Sequence, residues 1–159
     1  MEYEYTGNQE VRTDDRLRMP IPSKMLAGFR KFALPESEWE NKDAEVKVVV
    51  GLSIELKPTI FPKPVFDEMI EFLKSKPKHN PEWQRLRKTL IGMAEEQVLD
   101  NQGRIRIPRF LAKRFKLSGN IIIMNAGDQL ELHNADDFES SLDDLELLVG
   151  RLTDQMNDD

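Results

Sequence analysis

Cysteine is absent from the 159 residues, which excludes disulfides and every cysteine-ligated metal centre. Histidine is nearly as scarce. His79 and His133 stand far apart, so no pair of histidines offers metal-ligand spacing and no metal site is expected. Long apolar runs are missing too: none approaches the roughly 20 residues needed to span a bilayer. The opening Met-Glu-Tyr-Glu-Tyr has neither the basic nor the apolar region of a secretory signal. A soluble cytoplasmic protein with no membrane partner is the expectation. No nucleophile, histidine or phosphate-binding loop accompanies the many carboxylates beyond Gly127. No catalytic residue, cofactor or small-molecule substrate is therefore assigned, and the chain reads as no enzyme.

What is present is charge, unevenly spread. Hydrophobic residues make up 39% and charged residues 33%, with a net charge of −6. Taken whole, that balance repels nucleic acid. Between Arg12 and Lys31, however, six basic residues face only Asp14 and Asp15. From Asp100 to Lys116, six more are opposed by Asp100 alone. Much of the compensating acid follows Gly127.

The two basic regions are copies of one another. Leu99-Asp100-Asn101-Gln102-Gly103-Arg104-Ile105-Arg106-Ile107-Pro108 starts with turn chemistry. It continues as an alternating strand with one apolar and one basic face and stops at a proline suited to open a helix. The earlier segment superposes on it without a gap, Asp14 on Asp100, Arg18 on Arg104, Ile21 on Ile107 and Pro22 on Pro108. Two departures mark this first copy. Leu17 stands where the second has Gly103, and Pro20 stands where it has Arg106. Positive φ is costly for leucine, and proline is tolerated only at a strand edge or bulge.

The duplication extends to the flanking elements. A first strand is expected within Tyr3–Arg12. A helix over about Lys24–Lys31, capped by Ser23, matches one carrying Leu111, Ala112 and Phe115 that ends at Ser118-Gly119. Val48–Val50 and Leu52–Leu56 read as a hairpin, equivalent to Ile121–Met124 and Gln129–His133. Pro64 opens a helix after the first hairpin. Asn134 caps one after the second, with Phe138, Leu142 and Leu145 facing inward and a frayed tail from Asp154. The basic connector Lys74–Asn80 leads into a helix capped by Asn80 with Pro81 at its first position. The division expected is 3–73 for the first unit, 74–94 for connector and helix, 95–150 for the second unit and 151–159 for a flexible acidic tail. Units so small bury too little surface alone, so the fold class expected is α+β, two units sharing one core about a pseudo-twofold axis. Trp83, Phe29, Phe115 and Phe138 fall at helical spacing as core or interface residues.

These residues resemble the MraZ family of bacterial transcriptional regulators, built from two tandem AbrB-like units. The likeness is strongest from Gln84 to Pro108, and the family's Asp-x-x-x-Arg motif occurs as Asp14–Arg18 and Asp100–Arg104. It implies a double-psi or swapped-hairpin β-barrel flanked by helices. It also implies a nucleoid-associated repressor of its own division and cell-wall gene cluster, bound to short direct repeats in promoter DNA. Assembly would be into a homo-oligomeric ring of about eight or more subunits.

The site residues follow from both lines. Arg18 and Arg104 carry planar donor forks suited to phosphates and guanine edges. Arg16, Arg106 and Arg109 are candidate DNA contacts beside them, with Asp14 and Asp100 as supporting groups. A plainer reading of each Asp–Arg pair is a turn ion pair, and both roles are compatible. A second function is an antitoxin-like interaction module, binding a protein through its acidic C-terminal helix.

Overall fold

The computed structural model describes residues 6–157. The tandem copies exchange strands. The strand Asn8–Arg12 (β1) of the first copy pairs antiparallel with Asn120–Asn125 (β7) of the second, and Glu95–Val98 (β5) of the second pairs with Lys47–Leu52 (β3) of the first. With Pro58–Pro62 (β4) and Leu130–Asn134 (β8) they form one six-stranded antiparallel sheet, ordered β1-β7-β8-β4-β3-β5. Swapping the two copies reverses that order and leaves it unchanged, which is the pseudo-twofold symmetry expected from the duplication.

The remaining strands, Arg18–Pro20 (β2) and Arg104–Arg106 (β6), pair only with each other, Met19 opposite Ile105. The sequence reading of a closed barrel is corrected here. Sheet and ribbon are separate ladders. Three-residue strands, with Pro20, Pro22 and Pro108 withholding donors, leave no ladder to join them. The ribbon instead packs through Met19, Ile105, Ile21 and Ile107, all buried, onto a core that includes Val48, Val50, Ile60, Ile121, Ile123 and Leu132.

Among the described residues five α-helices accompany the sheet: Ser23–Ala33 (α1), Lys63–Lys74 (α2), Pro81–Gly92 (α3), Arg109–Phe115 (α4) and Phe138–Asn157 (α5). The Asn80 side chain accepts the Glu82 N–H at 3.1 Å and so caps α3 as expected. Leu73 of α2 and Leu90 of α3 are fully buried, Trp83 packs on the core, and Lys76 lies over the Phe72 and Trp83 rings. Phe29 is buried, Phe115 packs on the core from the side, and Phe138 meets the His133 ring edge-on.

Several local expectations are corrected. The second strand of the first hairpin is Pro58–Pro62, not Leu52–Leu56. Ile54 and Leu56 sit in the turn, where Leu56 has a φ of 62°. The flanking prolines disguise this strand. Their missing donors are tolerated because its ladder to β8 uses only Thr59 and Ile60. Gly51, which reads as a turn residue, lies inside β3, where a Cβ would come within 3.2 Å of the Ala94 Cα. Ser23 does not cap α1: Pro22 holds the cap position, as Pro108 does for α4, and neither side chain bonds there. The second of these helices ends at Lys116, itself at φ 56°, ahead of Ser118-Gly119. Asn134 closes a turn before α5 rather than capping it, accepting the N–H groups of Asp136 and Asp137.

The largest difference is α5. It runs unbroken to Asn157 instead of fraying at Asp154, it buries no residue, and Leu142 and Leu145 are each 49% exposed. Residues 3–5 of the expected first strand and 158–159 of the expected tail lie outside the described residues.

Candidate nucleic-acid interface

Each copy builds the same turn from the same carboxylate. Asp14 Oδ1 accepts the backbone N–H groups of Arg16 (2.9 Å) and Arg18 (2.8 Å), while Oδ2 accepts Arg18 Nε at 2.8 Å. Asp100 Oδ1 accepts the N–H groups of Gln102 and Arg104, both at 2.9 Å, and Oδ2 accepts Arg104 Nε at 2.8 Å. Three donors converging on one carboxylate favour its charged form. At Asp14 the Arg18 backbone N–H contributes most to a lowered pKa, reinforced by the Arg18 side chain and the Arg16 N–H. At Asp100 partial burial works against the charge, but the Arg104 backbone and side chain with the Gln102 N–H outweigh it, and the pKa is again lowered. In both turns Nε is taken, whereas the terminal guanidinium nitrogens have no partner among the described residues. The ion pair thus occupies Nε and leaves the terminal nitrogens open, on side chains 35% and 30% exposed.

Leu17 adopts a φ of 60° and Gly103 one of 70°. Leucine therefore keeps the glycine geometry instead of remodelling the turn, and its side chain packs against the core. Pro20 is equally well placed. Ribbon hydrogen bonds fall on odd-numbered residues, Ile21 N–H to Gly103 O at 2.9 Å and Ile107 N–H to Leu17 O at 2.8 Å. The Pro20 nitrogen thus points to the outer side, where no ladder donor is required. At the equivalent place in the second copy, the Arg106 N–H is satisfied by Gln97 Oε1 at 2.9 Å, and Gln97 Nε2 donates to the Arg106 carbonyl at 2.6 Å.

The alternation puts Met19 and Ile105 inward and Arg18, Pro20, Arg104 and Arg106 on the opposite, solvent-facing side of the ribbon. Register sets Arg18 directly across from Arg106, and Arg104 across from Pro20. Two arginines facing each other repel, and each is neutralised from outside the ribbon: Arg18 by Asp14 at 2.8 Å, Arg106 by Glu95 at 2.6 Å. Strand exchange thus regroups the sequence-predicted residues. Arg16, Arg18, Arg106 and Arg109, drawn from both copies, line one cleft of about 600 Å³ with Asp15 and Glu95. Arg16 and Arg109 make no side-chain hydrogen bond or ion pair there among the described residues. Arg104 lies at the far end of the ribbon, paired with Asp100.

Glu95 and Gln97 escaped the sequence reading. The run Glu-Glu-Gln-Val before the second motif has no polar–apolar alternation, and nothing in it says which arginine they meet. Among the described residues no cluster of histidine or acidic side chains is arranged to hold a metal ion, and no helix is long and apolar enough to cross a membrane.

Comparison with known proteins identifies relatives over most of the chain. Residues 90–149 match the family model described as MraZ protein, putative antitoxin-like. The transcriptional regulator MraZ of Methylococcus capsulatus is 30% identical over 128 residues, covering 80% of this chain and 77% of its own. That of Nitrosococcus oceani is 32% identical over 130 residues, covering 80% and 79%. The protein of the same name from Thioalkalivibrio sulfidiphilus is 26% identical over 140 residues, covering 88% and 86%. Two of these relatives are 30% or more identical over more than three quarters of their own length, and with the duplicated, strand-exchanged fold they place this chain in the MraZ family.

Proposed function

We propose that this protein is a transcriptional repressor that binds double-stranded DNA through the arginine face of the β2–β6 ribbon. One observation carries the reading: two short strands, one from each copy, turn their apolar residues inward and three arginines outward. A two-stranded ribbon fits the major groove, where arginine reads guanine edges and phosphates. The free Arg16 and Arg109 beside it suit phosphate contacts, which set register without reading sequence.

The protein's negative net charge makes a single subunit a weak binder. A homo-oligomeric ring presenting several ribbons to short direct repeats gains effective concentration, on the order of 10²-fold or more. The targets in this proposal are tandem repeats upstream of its own division and cell-wall gene cluster, and the protein works from the nucleoid. Repression is by occlusion, and no chemistry is performed on the DNA.

The test is binding of the chain's own upstream DNA, wild type against Arg18→Ala and Arg104→Ala. Arg18 stands among four arginines and Arg104 stands apart, so Arg18→Ala should cost more, roughly 1–3 kcal/mol. Wild-type affinity should fall steeply with salt as counterions are released. A flat salt dependence, or equal affinity for scrambled repeats, overturns the proposal.

A further inference from the structure

The helix α5 carries an unbroken heptad seam that is exposed among the described residues from Leu142 onward. Phe138, Leu142, Leu145, Val149, Leu152 and Met156 follow one another at alternating spacings of four and three. That is the a/d repeat of a coiled coil, narrower than the stripe of a helix lying on a globular core. Phe138 is half-buried against His133. From Leu142 onward the seam is open: Leu145 is 49% exposed, Val149 59% and Met156 76%. A monomer gains nothing from so regular an apolar edge in water.

We propose that this seam binds the α5 of a second copy of the chain, antiparallel, about a true twofold axis. Charge selects the orientation. Glu139, Asp143, Asp144 and Glu146 crowd the first half of the helix, whereas Arg151 balances Asp154 in the second. A parallel pair sets two acidic halves side by side. An antiparallel pair sets each against a neutral half and opposes the helix dipoles. Antiparallel pairing also uses the whole seam: Phe138 meets Met156, Leu142 meets Leu152 and Leu145 meets Val149 of the other copy. Leu148, on the flank of the seam and 39% exposed, widens the contact. Such a pair is isologous and joins two copies only, a contact separate from those that would close the proposed ring. It needs neither DNA nor the arginine ribbon.

The absence of cysteine allows a clean test. Leu145→Cys and Val149→Cys chains are mixed as full-length proteins and oxidised. Antiparallel pairing brings these two positions within the roughly 7 Å between Cα atoms that a disulfide spans, and holds each about four residues from its own copy. The expected result is covalent dimer in the mixture and little from either variant alone. Circular dichroism checks that both remain folded. Self-linking of either variant at the level of the mixture refutes the antiparallel arrangement. No linking in the mixture, with the fold intact, refutes the second copy as occupant and returns the seam to a foreign partner. DNA binding at the ribbon is scored separately and does not decide this result.

Discussion

Replacing Glu95 by glutamine should tighten DNA binding, because Glu95 restrains the arginine most exposed on the ribbon. Its carboxylate lies 2.6 Å from Arg106, with side chains 36% and 59% exposed. An ion pair that open contributes about 0–1 kcal/mol to stability, and Gln keeps an oxygen to accept the guanidinium, so the fold should hold. A phosphate on the far side of Arg106 would sit about 7 Å from the Glu95 charge, a repulsion of roughly 0.6 kcal/mol in water. Relief of that repulsion is about a threefold gain in affinity at low salt. Should Arg106 then make one further phosphate contact, the slope of log affinity against log salt steepens by about 0.9. The assay is fluorescence anisotropy on a tandem-repeat duplex across a salt series, with unfolding followed in parallel. Unchanged or weaker binding by a well-folded Glu95→Gln protein would refute the placement of Arg106 against DNA.

Two further outcomes concern the turns. Gly103→Ala should lower stability by about 1–2 kcal/mol, because the position has a φ of 70° and a Cβ there meets Leu26 Cδ2 at 3.3 Å; a denaturant midpoint equal to wild type would contradict this. Asp14 and Asp100 have lowered pKa values in the folded state, below the ordinary 3.8. Their contribution is complete above that value and is lost as pH falls below it. The Asp14→Asn, Asp100→Asn double variant should therefore lose less stability than wild type as pH falls from about 4 toward 2, measured by urea unfolding at each pH.

The duplication, the paired turns and the inward face of the ribbon were legible in the sequence because they depend on local chemistry and on period. Asp, Gly and Pro mark turns wherever they occur, and alternation names a face without naming its neighbour. Strand exchange was not legible from spacing alone, since either copy's β1 or β5 fits either hairpin equally well as a pattern. Its consequence at the site is large. Second-copy Arg106 and Arg109 join first-copy Arg16 and Arg18, while Arg104, which heads the better-preserved motif, is left by itself. The missed β4 has another cause. Pro58 and Pro62 mimic loop punctuation, and only the register with β3 and β8 reveals which donors were dispensable. At α5 the hydrophobic period was visible, and the error lay in assigning its face to the chain's own core.

Strand exchange also bears on how the protein is made and destroyed. Neither copy holds a complete ribbon or a complete sheet, so a chain released halfway through synthesis, or cut in the connector between α2 and α3, has no partial arginine face to offer DNA. Separated halves regain one only by finding each other, an encounter that depends on concentration, whereas the intact chain keeps them together by covalent linkage. On the proposed reading, a truncated product therefore does not compete for operator sites as a half-strength regulator. Occupancy of the proposed target would then count finished molecules only.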